Sequence, residues 1–125
     1  MAKWIAFPYV DEYRYDAGAL KKHWSRLHAG DAEPLPKDAK VLDAWALFHA
    51  GDFQKAFDAA LKLGDAGVTV ANKAQSIYAN YLEKSEKTKL AMFTEVSQRA
   101  QAQQTAEPKN PAGWYWQAYA LGRYS

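Results

Sequence analysis

The chain has 125 residues, 49% of them hydrophobic, with 16 Lys and Arg against 14 Asp and Glu; this is the size and balance of one folded domain. Its formal charge of +2 excludes the basic excess of a charge-driven nucleic-acid binder, and its apolar content excludes general disorder. With no cysteine it can hold no disulfide framework, thiolate zinc site or cysteine nucleophile.

The opening MAKWIAFPYV has one lysine and a short apolar run broken by Pro8, unlike a secretory signal. Later apolar runs are interrupted by Lys, Asp, Gln or Glu well before the roughly 18 to 20 residues of a membrane span, so a cytoplasmic protein with no membrane partner is expected. Trp4, Ile5, Phe7, Tyr9, Val10, Tyr13 and Tyr15 give the first fifteen residues an aromatic density that predicts docking on the rest of the chain. Asp11, Glu12 and Asp16 read as solvated or capping carboxylates rather than a catalytic cluster.

Asp16 is placed to cap a first helix over about residues 16–29, with Ala19, Leu20, His23, Trp24 and Leu27 at helical spacing and Gly30 as its stop. His23 and His28 are turned about 140° apart on such a helix and cannot chelate one metal as an i, i+4 pair could; they read as packing or surface histidines. Glu33-Pro34-Leu35-Pro36 is then a rigid extended connector.

From about Asp38 to Ala50, Val41, Trp45 and Phe48 form one apolar stripe and Ala44 and Leu47 another, so this helix needs neighbours on two sides. Gly51 suits a tight turn, and Asp52 can cap a third helix carrying Phe53, Ala56, Phe57, Ala60, Leu61 and Leu63. Gly67 to Leu82 reads as a fourth, with Val70, Ala74, Ile77, Tyr78, Tyr81 and Leu82. Ser85 can cap a fifth through Leu90, Phe93, Val96 and Ala100, whose Gln-rich end, QAQQTAEP, reads as an exposed helix terminus stopping before Pro108. Asn110-Pro111 opens a sixth, with Trp114, Ala118 and Leu121 in the relation of Lys40, Ala44 and Leu47. The expected core is Leu20, Trp24, Leu42, Ala44, Leu47, Ala56, Phe57, Ala60, Leu61, Ile77, Tyr81, Leu90, Phe93, Ala118 and Leu121.

Ala44, Leu47, Gly51-Asp52-Phe53 and Ala56 resemble the tetratricopeptide repeat, a helical hairpin of about 34 residues. The resemblance covers residues 37–125 as units 37–70, 71–110 and a half unit 111–125, behind an N-terminal segment and capping helix, 1–36. It implies an all-α superhelix of about two and a half hairpins. It also implies an interaction scaffold that takes a peptide or partner helix in a concave groove. The groove residues it implies are Val41, Trp45, Phe48 and His49, then Asn72, Gln75, Ala79 and Leu82, then Tyr115 and Tyr119. The family's clamp for two carboxylates is missing, because the corresponding faces offer Val41, Trp45, Ser76, Ala112 and Trp116.

The sequence contains no HExxH, GxxxxGK[ST] or GxSxG, so no catalytic residue, metal ligand or cofactor is expected and the chain is read as a non-enzyme. The alternative is a helical-repeat nucleic-acid binder, against which Lys21, Lys22, Lys84, Lys87 and Lys89 are interleaved with acids. Trp114, Trp116, Leu121 and Tyr124 crowd a last helix that lacks a following partner. They are expected to mediate a homodimer, unless the chain is the front of a longer polypeptide.

Overall fold

Short polar side chains and a proline set where the helices begin. The computed structural model describes residues 4–6, 16–31 and 33–124. Among them it holds six α-helices and no strand: α1 Ala17–Leu27, α2 Ala39–His49, α3 Phe53–Lys62, α4 Val68–Tyr81, α5 Glu86–Ala106 and α6 Pro111–Tyr124. Asp16 Oδ1 accepts from the Ala19 amide at 2.7 Å, Asp38 Oδ1 from Lys40 at 2.8 Å, Ser85 Oγ from Thr88 at 3.2 Å and Asn110 Oδ1 from Ala112 at 3.0 Å. Each bond satisfies an amide that has no acceptor within its own helix. Asp52 does not cap α3 as expected; it occupies the cap position without a side-chain bond and lies 3.7 Å from Lys55 Nζ.

Two glycines are required by geometry. Gly51 has φ 86°, a conformation that favours glycine, and it reverses the chain between α2 and α3. At Gly67, where a 3-10 turn passes into α4, a Cβ would lie 2.1 Å from the Ala60 carbonyl oxygen, so the start of α4 rests on the backbone of α3.

Each helix packs on the next in sequence, and α4 also touches α2 and α6. This central position explains why α4 buries residues around much of its circumference: Val70, Ala71, Asn72, Ala74, Ser76, Tyr78 and Ala79. Of the expected core, Leu20, Trp24, Leu42, Ala44, Ala56, Phe57, Ala60 and Phe93 are buried, with Leu47 and Ile77 packed at its margin.

Leu61, Tyr81, Leu90, Ala118 and Leu121 are exposed instead. On α6 the reason is rotational. Its inward stripe is Ala112, Gly113, Trp116 and Ala120, whose small members let α6 close on α5, and Ala118 sits about 200° around from Trp116. The Gly113 carbonyl there accepts from Gln104 Nε2 at 3.1 Å. The Gln-rich end of α5 is likewise not a free terminus, because Gln103 is buried.

The start of the chain docks on α3 and α4. The Trp4 ring stacks on Tyr78 at 4.5 Å and meets Phe57 at 5.0 Å, its amide donates to Gln54 Oε1 at 3.1 Å, and the Ile5 amide donates to Tyr78 Oη at 3.0 Å. The other aromatic residues expected to dock, from Phe7 to Tyr15, lie outside the described residues. Trp4→Ala should cost about 3 kcal/mol, read as a lower denaturation midpoint, because a buried indole packed on Tyr78 and Phe57 is lost. Deleting residues 1–15 should lower the melting temperature similarly.

Candidate functional site

Lys73 shares a stripe of α4 with Val70 and Ile77, and this stripe faces α2 and α6. Its ammonium lies 5.7 Å from the Trp45 ring centre, 5.4 Å from Phe48 and 6.0 Å from Trp116. Asp31, in the loop after α1, accepts from Lys73 Nζ at 2.7 Å and also from the Glu33 amide at 3.2 Å. His28 Nδ1 is 3.0 Å from the same carboxylate, and His28 Nε2 is 2.8 Å from His49 Nε2. With Nδ1–H donated to Asp31, neutral His28 accepts at Nε2 and His49 donates.

His28 is only 2% exposed, stacked at 3.9 Å on Trp24 and set edge-on to Trp45 at 4.7 Å. Trp24 Nε1 in turn donates to the Glu33 carbonyl at 2.7 Å. Trp24, His28, Asp31 and Glu33 are therefore tied across the faces of α2 and α4 by a continuous set of rings and hydrogen bonds.

Burial sets the protonation of this group. It drives His49 down to about 3, with His28 and Lys73 adding repulsion, and it lowers His28 also. Burial alone would raise Asp31, but the hydrogen bond and charge of Lys73 outweigh it and hold the carboxyl below its usual range. Glu33 moves the other way, up to about 7, because burial and the Asp31 and Glu107 carboxylates together exceed the pull of Lys73.

Beside this cluster runs a cleft of about 380 Å³ between the Glu33–Pro36 connector and the starts of α2 and α4; Thr69, Gln103 and Glu107 are among its lining residues. A neighbouring hollow of about 330 Å³ continues to Asn110, Tyr115 and Trp116 on α6. Among the described residues no group of three or more His, Asp or Glu is placed to hold a metal ion. No helix there is long and apolar enough to cross a membrane.

Of the groove residues implied by the resemblance, Val41, Trp45, Phe48 and His49 do converge on one face. That face is covered by the chain's own Trp24, His28 and Asp31. Asn72 and Gln75 are turned to α5: Arg99 Nε donates to Asn72 Oδ1 at 2.8 Å, Arg99 Nη2 donates to Gln75 Oε1, and Gln75 Nε2 donates to Glu95 at 3.3 Å. The cleft-side face of α4 is set by Thr69, Val70 and Lys73, a rotation of about one residue, or 100°, from the implied register. Ala79 is fully buried, Leu82 and Tyr119 are half-buried, and Tyr115 is open on the hollow.

Of the self-association residues, Trp116 points inward and is buried, so it is no part of an exposed patch. Trp114 and Leu121 are 54% and 53% exposed, and the Tyr124 side chain lies outside what is described. His28, Asp31, Lys73 and Gln103 are the members that sequence reasoning missed. A lysine within the apolar stripe Val70–Ile77 was the available signal.

No family model matches the chain, and no curated protein or solved structure matches it significantly.

The opposed shifts of His49 and Glu33 give a pH test. Unfolded His49 binds a proton below about 6.5 that the folded site refuses, so its contribution is full above 6.5 and is lost as pH falls. Folded Glu33 binds a proton below about 7 that the unfolded chain does not take until about 4.5, so its contribution grows over that window as pH falls. The two offset each other. Glu33→Gln removes the second, and the variant should lose up to about 2 kcal/mol between pH 7 and pH 5 relative to wild type in chemical denaturation. His49→Gln should instead gain stability over the same interval.

Proposed function

We propose that the chain is a non-enzymatic interaction scaffold of tetratricopeptide-like hairpins, whose cleft takes an extended segment of a protein partner. The supporting observation is that the aromatic face of α2 and α4 already seats His28 and Asp31, from the end of α1 and the loop after it, through Trp45, His49 and Lys73. The order of packing supports the superhelix: each helix rests on the next, while α2 and α6 both adjoin α4. The cleft continues past the seated segment and ends at the exposed Tyr115, an aromatic suited to anchoring a ligand at low entropic cost.

The competing classes fit the site less well. His28 and Asp31 have the arrangement of a base and its orienting carboxylate, but the second nitrogen of His28 is engaged by His49 and has no free side toward a nucleophile or substrate. A nucleic-acid ligand would bring phosphates to a cleft lined by Glu33, Asp38, Asp65 and Glu107 against Lys37 alone.

Selection from a displayed random peptide library tests the reading. Peptides captured by the full chain should bind in the micromolar range, lose about tenfold in affinity on Tyr115→Ala and lose none on Leu61→Ser, a change at an exposed position on α3. Failure to obtain any Tyr115-dependent peptide would remove it.

We propose also that a second copy of the chain covers the outer side of α6, where Trp114 and Leu121 are each about half exposed. Light scattering at high concentration should give a dimer mass that Trp114→Glu with Leu121→Glu reduces to a monomer; a strictly monomeric wild type would count against it.

A further inference from the structure

We infer that the cleft is a receptor for a basic side chain: an arginine or lysine of the partner peptide donates to the Gln103 side-chain oxygen, with Glu33 and Glu107 supplying the countercharge. This rests on the peptide-scaffold reading and names the chemistry of its ligand. Gln103 carries the argument. It is 5% exposed, its Nε2 donates to Thr69 Oγ1 at 2.9 Å, and its Oε1 has no partner. A buried acceptor without a donor is costly; the oxygen itself is closed off from solvent, but Gln103 lines the cleft, so a small turn of its side chain lets a donor entering the cleft satisfy it.

A second, independent observation gives the sign of the donor. Glu107, which caps the end of α5, lies one turn on from Gln103, and Glu33 lines the same cleft from the connector. Asp38 and Asp65 are in the same lining, where Lys37 is the sole cation among the described residues. Lys73 does not make up the deficit, because its ammonium is committed to Asp31 and three rings. Glu33 shows the consequence: its carboxyl is raised to about 7 by burial and by neighbouring acids that the nearby lysine fails to balance. The cleft thus combines an unused acceptor with surplus negative charge, and a guanidinium or ammonium on a flexible stem answers both.

Titration of the isotope-labelled full chain with N-acetyl-arginine amide, against N-acetyl-citrulline amide as its neutral isostere, tests this by NMR. The Gln103 side-chain amide and the Thr69 and Asn110 backbone amides should shift saturably with the arginine compound, and citrulline should bind at least tenfold more weakly. Glu107→Gln, at an exposed position, should weaken the arginine compound severalfold with an unchanged melting temperature. Gln103→Met should weaken it further; if that variant does not fold, Glu107→Gln and Glu33→Gln decide. Equal binding of arginine and citrulline, or shifts that avoid Gln103, would overturn the inference.

Peptide selection separates the two readings. Peptides that depend on Tyr115 but carry no preference for basic residues, and bind Glu107→Gln as well as wild type, would overturn the basic-side-chain receptor and leave the scaffold standing. Arginine binding without any selectable peptide would overturn the scaffold alone.

Discussion

The ammonium of Lys73 is the constraint on which the arrangement depends. It is on the central helix, its side chain 15% exposed, among three aromatic rings, and a charge there is tolerated only if its compensation is built in. The compensation comes from Asp31, 42 positions earlier in the chain and itself 13% exposed. Removing one partner of a buried pair costs about 3–5 kcal/mol, whereas a surface pair contributes about 0–1, so α1 and its following loop are bound to α4 far more firmly than their length would suggest. The other oxygen of the same carboxylate accepts from the Glu33 amide and so orders the connector that forms one wall of the cleft. Packing and the proposed binding surface therefore have one cause.

Charge burial of this kind spreads to its neighbours. The aromatic shell that holds Lys73 also covers His28 and His49, which stay neutral and hydrogen-bonded to each other. The connector wall carries Glu33 into the same poorly solvated region without a dedicated cation. Because a base and an acid are disfavoured in their charged forms side by side, their proton linkages oppose each other around neutral pH. A site that looks ready to respond to acid is in this way buffered by its own composition.

The helices were legible in the sequence because their starts are local chemistry. Asp16, Asp38, Ser85 and Asn110 each cap within two or three residues, and all six expected helices appear close to their expected ends. Which way each helix faces was less legible. A helix such as α4, buried on nearly every side, gives periodicity no single face to choose, so Asn72 was read as groove-facing when it is buried against α5, and Lys73 on the inner stripe was passed over. On α6 the indoles drew attention to Trp114, while the small residues Ala112, Gly113 and Ala120 beside Trp116 mark the packed side. The His28–His49 and Asp31–Lys73 contacts join positions 21 and 42 apart, and no local pattern encodes such pairs.

Under the proposed scaffold function, self-coverage of the aromatic face changes what a partner would have to do. Its deepest part, over Trp45 and His49, is filled by Trp24 and His28, so a ligand need not displace water from that region and gains little by competing for it. What remains open is the margin where the connector faces α5 and α6, and one wall of that margin contains Pro34 and Pro36, whose fixed φ leaves little freedom to lose on binding. A wall ordered in advance by Asp31 and stiffened by two prolines makes the cleft largely preformed. Affinity in the proposed receptor would then be governed by the groups that meet the ligand, the acceptors and carboxylates at the end of α5 and in the connector, rather than by the cost of assembling the site.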